Sequence, residues 1–225
     1  MEVFPNVHWL DLGASNVYLL TGPDGLTLVD TGMPRQTGKI LAYAEQLGHA
    51  PTDLRRILIT HADIDHAGSM AALVQATGAE VYASRATADL LRQGRSPEHM
   101  PRLMQFLTNH FFRYKPVARV TVLEDGDELS CLGGTRIIYT PGHTLEHHSF
   151  YSPSTGVLLV GDALSTRDDQ LNLSPTRVTA DIALAQQTAQ HLLSLAPNLF
   201  ACGHGKPMRA PSSAELARFQ RTLSS

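Results

Sequence analysis

Short apolar runs, bounded by glycine, proline and aspartate, recur along the 225-residue chain. Asn16-Val17-Tyr18-Leu19-Leu20 and Leu26-Thr27-Leu28-Val29-Asp30 read as two strands. Between them Gly22-Pro23-Asp24-Gly25 has the composition of a hairpin turn. A helix opens at Thr31-Gly32-Met33-Pro34 and carries Ile40, Leu41, Tyr43, Ala44 and Leu47 near a helical period, with Gly48 placed to end it. Ile57-Leu58-Ile59 predicts a buried strand over 57–60. Met70-Ala71-Ala72-Leu73-Val74 predicts a helix running to about Thr77, and Glu80-Val81-Tyr82-Ala83 a short strand. Strands resume at 119–123 and 135–139, around the turn Asp125-Gly126-Asp127. Ser149-Phe150-Tyr151 and Val157-Leu158-Leu159-Val160 bracket Pro153-Ser154-Thr155-Gly156 as a hairpin. Residues 180–195 read as a helix, 199–202 as a last strand and 214–223 as a last helix. Strands and helices in both halves predict an α/β fold, with layered sheets and helices outside them.

The segment 85–116 breaks this rhythm. Leu90, Leu91, Met100, Leu103, Met104, Phe106, Leu107, Phe111, Phe112 and Tyr114 are bulky and apolar, punctuated by Pro97, Pro101 and Pro116. It predicts one or two helices inserted between strands, serving as simple helix packing, as a lid or pocket wall, or as the apolar interface of a homodimer.

Composition narrows the classes. The chain is 43% hydrophobic and 17% charged, with a formal net charge of -3 and no basic run, so a nucleic-acid partner is not expected. No apolar run approaches the roughly 20 residues that span a bilayer, and Met1-Glu2-Val3-Phe4-Pro5-Asn6 has no secretory pattern. Two distant cysteines, Cys131 and Cys202, give no disulfide framework, and a cytoplasmic protein is expected.

The chemistry lies in where the histidines cluster. Thr60-His61-Ala62-Asp63-Ile64-Asp65-His66-Ala67-Gly68 packs two histidines and two aspartates onto a strand-to-helix loop. Three further ligand types follow strands and adjoin glycine: Gly142-His143, Gly161-Asp162 and Gly203-His204. Strand ends converge on one edge of a layered α/β protein, so His61, Asp63, Asp65, His66, His143, Asp162 and His204 can meet in space. Seven such groups exceed one tetrahedral site and suit two divalent metals, with a carboxylate between them to offset their repulsion. Water bound to such a centre loses its proton near neutral pH and becomes a nucleophile.

These blocks, in this order, resemble the metallo-β-lactamase superfamily, which carries T-H-x-H-x-D-H-x-G, then Gly-His, Gly-Asp and a late Gly-His. The resemblance covers about residues 16–208, including the strand-end turn Val29-Asp30-Thr31-Gly32. It implies an αββα sandwich of two mixed sheets, forming one domain over 1–225 with the helical insertion at 85–116. It also implies a dinuclear site: His61, Asp63 and His143 for one metal, Asp65, His66 and His204 for the other, Asp162 bridging, and Asp65 orienting the attacking water. Zinc is the first expectation for both ions, with iron or manganese as alternatives. Asp30 would support the metal loop from behind, His147 would be structural, and Cys202 a small buried residue.

Asp63 departs from the pattern, since most members place histidine there. A carboxylate is harder and anionic, which shifts preference toward iron or manganese. The flavodiiron branch is similar at this position, but the chain ends too soon after His204 for a flavodoxin domain. The expected activity is hydrolysis of an ester, thioester or lactone of a small molecule with an apolar or acyl part. The alternative is iron-dependent oxidoreductase chemistry on oxygen or a thiol-derived substrate.

Overall fold

The computed structural model describes residues 1–111, 113–209 and 211–223. Phe112 of the apolar segment lies outside them. A seven-stranded sheet runs in spatial order β1 (Glu2–Phe4), β2 (Val7–Asp11), β3 (Asn16–Gly22), β4 (Gly25–Val29), β5 (Leu54–Leu58), β6 (Glu80–Ser84) and β7 (Thr121–Leu123). Its first four strands pair antiparallel and the rest parallel. A six-stranded sheet is formed by β8 (Glu128–Leu129), β9 (Thr135–Tyr139), β10 (His148–Ser152), β11 (Val157–Gly161), β14 (Leu199–Cys202) and β15 (Met208–Arg209). Here β11 and β14 are the parallel pair. A separate hairpin joins β12 (Ser165–Arg167) to β13 (Gln170–Asn172).

Strand periodicity explains the layering. Successive side chains on a strand point to opposite faces. On β3, Tyr18 and Leu20 enter the core between the sheets, while Val17 and Leu19 face outward under helices. On β11, Val157 and Leu159 point inward, and Leu158 and Val160 point to the other helical layer. Both faces are therefore apolar and both need cover. α1 (Thr37–Gln46), α3 (Met70–Thr77) and α4 (Arg85–Gln93) cover the first sheet, through Ile40, Met70, Leu73 and Leu91. α6 (Ile182–Ser194) and α7 (Ser213–Leu223) cover the second, through Ala189, Leu192 and Phe219. The result is the expected four-layered αββα sandwich.

The segment 85–116 holds two helices, α4 and α5 (Arg102–Phe111). α4 packs into the first helical layer through Ala88 and Leu91. α5 leaves Leu103, Phe106 and Phe111 more than half exposed. Among the described residues, no helix is long and apolar enough to cross a membrane.

Several boundaries differ from the sequence reading. The first helix starts at Thr37 rather than at Pro34. The helix expected from Met70 to about Thr77 is α3, but the loop after β5 contains a further short helix that the sequence does not mark, α2 (Ile64–Ala67). The break falls at Gly68, where a Cβ would collide with the ring of Pro34.

Candidate metal centre

The strand ends bring all seven of the sequence-predicted residues to one edge of the sandwich. His61 follows β5, and Asp63, Asp65 and His66 lie at or within α2. Asp63 occupies the N-cap position of that helix, yet its side chain makes no capping hydrogen bond. Its carboxylate turns instead toward imidazoles. Asp63 Oδ2 lies 3.5 Å from His61 Nε2 and 3.5 Å from His143 Nε2. Asp162, after β11, places Oδ1 3.3 Å from His66 Nε2, and Oδ2 3.0 Å from His204 Nε2 and 3.6 Å from His143 Nε2. Asp65 Oδ2 lies 3.6 Å from His204 Nε2 and 3.8 Å from His66 Nε2.

Three overlapping trios result: His61, Asp63 and His143; Asp65, His66 and His204; and His61, His66 and Asp162. Within each, donor atoms lie within 4.8 Å of one another. Nε2 of His61, His66 and His143 and Oδ1 of Asp63 and Asp162 are buried without a hydrogen-bond partner. Orphaned buried polar atoms are costly, and several pointing at one another call for a cation. The donor set of imidazoles and carboxylates fits divalent transition ions.

The backing of the site fixes which nitrogen faces inward. Asp30 is buried in a left-handed backbone conformation (φ 59°). Its Oδ1 accepts the Thr60 backbone N–H (2.9 Å), and its Oδ2 accepts the Thr60 hydroxyl (2.8 Å) and His66 Nδ1–H (2.9 Å). With its proton given to Asp30, the Thr60 oxygen is left to accept His61 Nδ1–H at 3.0 Å. Asp30 thus holds both histidines as Nδ1–H tautomers and frees each Nε2 lone pair, the arrangement that metal-ligating histidines use. Thr31 adds two bonds to the His66 carbonyl, from its N–H (2.7 Å) and its hydroxyl (2.8 Å).

His147 supports the opposite side. Its Nε2 accepts the Asp162 backbone N–H (3.0 Å), so its proton sits on Nδ1, facing Thr140 Oγ1 at 2.8 Å. It lies behind the cluster, as a structural residue would. Gly203 is required by proximity, since a Cβ there would overlap Asp162 Oδ1 and lie 2.7 Å from His66 Cε1. The two sheets are tied at this edge, where Tyr18 Oη and Asn16 Nδ2 both donate to the Cys202 carbonyl, at 2.8 and 2.9 Å. Cys202 itself is fully buried, and burial pushes its thiol up to about 12.

Without a metal, proton affinities inside the cluster are strongly displaced. Burial opposes ionisation of Asp63, but the imidazoles of His143, His61 and His99 gathered around it hold its carboxyl well below the ordinary value. Asp162 is likewise held low, against its burial, by the charges of His66 and His204. Burial disfavours charge on His66, yet Asp162, Asp65 and Asp30 raise it well above the ordinary imidazole value. Asp162 also raises His204.

The sequence alone does not single out His99. It lies between α4 and α5, and its Nε2 stands 3.1 Å from Asp63 Oδ2. Its signal, a histidine in the proline-flanked run Pro97-Glu98-His99-Met100-Pro101, has no strand or glycine context to mark it. An open pocket of about 780 Å³ leads to the cluster, lined in part by Met100, Leu173, Val178, Thr166 and Arg167. A second cavity of about 700 Å³, near Phe4, Arg56 and Cys131, is lined by none of these histidines.

An αββα sandwich with a histidine–aspartate cluster at its strand-end edge defines a class of metal-site proteins, and comparison with known proteins gives it a family. Residues 10–204 match the profile of the metallo-beta-lactamase superfamily, and the chain belongs to it. It is 28% identical over 246 aligned positions to the probable metallo-hydrolase YflN of Bacillus subtilis (strain 168), covering 100% of this chain and 93% of that protein. It is 36% identical over 133 positions to the hydroxyacylglutathione hydrolase of Pseudomonas fluorescens (strain SBW25), covering 58% of this chain and 40% of the relative. The crystal structure of the metallo-beta-lactamase family protein TTHA1429 from Thermus thermophilus superposes with a TM-score of 0.75. That match has 23% identity and covers 99% of this chain and 81% of the other, a likeness of fold.

Proposed function

We propose that this chain is a metal-dependent hydrolase that cleaves an ester, thioester or lactone of a small molecule with an acyl part. The observation that carries the reading is the convergence of unpartnered buried Nε2 and carboxylate oxygen atoms at the floor of an open pocket. In this reading His61, Asp63 and His143 hold one metal ion. Asp65, His66 and His204 hold a second, and Asp162 lies between them. Two divalent ions held there, zinc first, would supply Lewis acidity toward a carbonyl and lower the pKa of water.

The chain's own residues do the rest. Asp30 and Thr60 keep His61 and His66 in the tautomer that presents Nε2. Asp65, half-buried and open to the pocket, is the carboxylate placed to orient a water and accept its proton. Met100, Leu173 and Val178 give the pocket an apolar wall suited to an acyl chain. The name of the Pseudomonas relative denotes hydrolysis of an acylated glutathione, which supports thioesters within this substrate range.

The Asp63 carboxylate favours a second reading, an iron centre acting on oxygen or a thiol-derived substrate. Elemental analysis of the purified protein, followed by a panel of aryl esters, lactones and thioesters, separates the two. Zinc with turnover of the panel is expected, whereas iron with oxygen uptake and no panel turnover would overturn the hydrolase reading. His66→Ala should abolish turnover and lower metal content. Wild-type turnover with unchanged metal content in that variant would sink the site assignment.

A further inference from the structure

We propose that α5 docks the protein on the surface of an anionic lipid membrane, with its apolar stripe among the acyl chains and the basic residues around it against the headgroups. The helix is built inside out. Leu103, Phe106, Leu107 and Phe111 recur at the helical spacing of one face, and all four are exposed, as is Met104 beside them. The polar residues turn inward. Gln105 and Thr108 are half-buried. Gln105 Oε1 accepts the backbone N–H groups of His99 and Met100, both at 3.2 Å, and Thr108 Oγ1 donates to Met100 Sδ at 3.8 Å. Among the described residues eight large apolar side chains are exposed, and five of them lie on this one helix, so the patch is not ordinary surface scatter.

The charges around the stripe say what covers it. Residues 95–115 hold four basic side chains, Arg95, Arg102, Arg113 and Lys115, and a single acid, Glu98, in a chain whose net charge is -3. Arg95 takes up Glu98, at 3.7 Å. Arg102 opens the helix, and Arg113 and Lys115 follow it. All three are exposed, and among the described residues none of them is in an ion pair. An apolar helical face bracketed by cations is the pattern of a helix lying in the interfacial plane of a bilayer, which needs no spanning segment. Each cation near an anionic surface adds to the attraction. A second copy of the chain fits less well. Two such faces would bring like charges together, and a stable interface takes about 20–30 residues a side, well beyond a helix of 10 residues.

Docking through α5 also brings the pocket to the lipid. Met100, which the inward face of the helix holds by backbone and by sulfur, is part of the wall of the pocket that leads to the metal cluster. The docked helix therefore borders that wall. The docking itself does not depend on what the centre cleaves. Joined to the hydrolase reading, and resting on it, it narrows the substrate to an acyl ester or thioester that partitions into lipid.

Co-sedimentation of the purified protein with vesicles tests the docking without any substrate. Vesicles of phosphatidylcholine alone are compared with vesicles of phosphatidylcholine mixed with phosphatidylglycerol, at low and at high salt. Wild type should partition onto the mixed vesicles at low salt, and high salt should release much of it. Phe106→Ser and Phe111→Ser should each weaken that partitioning by about tenfold or more, since each removes a ring from the apolar phase. Arg102→Gln and Lys115→Gln should each weaken it about fivefold on the mixed vesicles, and leave the behaviour toward phosphatidylcholine alone unchanged. All four positions are exposed, so the variants should melt as wild type does. No partitioning onto the mixed vesicles at low salt, or partitioning that the Phe106 and Phe111 variants leave intact, would overturn the proposal. So would light scattering that shows a dimer which Phe111→Ser splits while vesicles are ignored, because the face would then join two copies. Vesicle binding with no turnover of any acyl ester or thioester would leave the docking standing and sink the hydrolase reading alone.

Discussion

Asp30→Asn is the sharpest probe of how the site is built, because one carboxylate serves both proposed metal positions and touches neither. The substitution keeps side-chain shape and tolerates the left-handed backbone at this position, where φ is 59°. It leaves an oxygen for the Thr60 backbone N–H but replaces Oδ2 with an NH2 group. Two donors, the Thr60 hydroxyl and His66 Nδ1–H, now face a donor. Hydrogen bonds to a charged group contribute about 1.5–3 kcal/mol each, so loss of two costs on the order of 3 kcal/mol or more. For a chain of this size that corresponds to a melting temperature lower by about 6–12 °C. The local escape is for His66 to move its proton to Nε2 and accept from the new amide. Thr60, freed to donate toward His61 Nδ1, pushes His61 the same way. Either change removes a lone pair from a trio, so zinc affinity should fall by about 10–100-fold at both positions. Thr60→Val is the control. It breaks only the relay to His61, and should weaken only the ion held with Asp63 and His143. The assay is chelator-competition zinc titration alongside melting of the metal-free protein. Asp30→Asn protein that binds two zinc ions with wild-type affinity would refute the tautomer argument, however much stability it had lost.

Other consequences can be checked in the same preparations. Gly203→Ala should leave the fold intact but abolish tight metal binding, since its methyl would overlap Asp162 Oδ1 and press on His66; elemental analysis after dialysis reads this directly. His147→Leu strands the buried Asp162 N–H and should lower stability by about 1–3 kcal/mol, seen in chemical denaturation. Cys202→Ser should keep wild-type turnover, because a fully buried thiol pushed up to about 12 is no nucleophile near neutral pH. Removing metal should lower the melting temperature, with a stabilisation of about 4 kcal/mol recovered at a thousandfold excess of metal over its Kd. Metal binding should also release protons. His66 is held well above the ordinary imidazole value in the metal-free protein and His204 is raised in the same direction, so protons compete with a cation for these nitrogens. Apparent affinity should then rise with pH up to those raised values, and calorimetry in buffers of different ionisation enthalpy should count the protons.

The parts of the fold that can be read from the sequence share one property, local periodicity joined to burial on both faces. β3, β11 and β14 alternate between the inter-sheet core and the helical layers, and continuous apolar runs mark them. Elements without that signature escape a reading by pattern. β1 and β2 join through Asn6 in a left-handed conformation, and β2 buries His8 among its apolar residues. The β12–β13 hairpin is almost wholly polar. It is held by a two-residue turn, Asp168 and Asp169, both at positive φ, the geometry a tight hairpin demands. No hydrophobic pattern exposes such a strand pair, although it leads into the pocket through Thr166 and Arg167.

The same division runs through the site. Each of the seven cluster residues sits shortly beyond a strand or at a glycine, so their convergence follows from topology once strands are found. His99 follows from no such rule, because it comes from a proline-broken linker and meets Asp63 only through the packing of 85–116 on the first sheet. That difference has a physical reason. Imidazole at the Asp63 position would be a rigid ring presenting one nitrogen to the cluster. A carboxylate offers two equivalent oxygens on a short rotatable arm and a full negative charge in a dry site, where His61 and His143 stand 3.5 Å away. His99 Nε2, brought in by the insertion, stands 3.1 Å from the same carboxylate, so three imidazoles surround the one residue of the loop that departs from the family pattern.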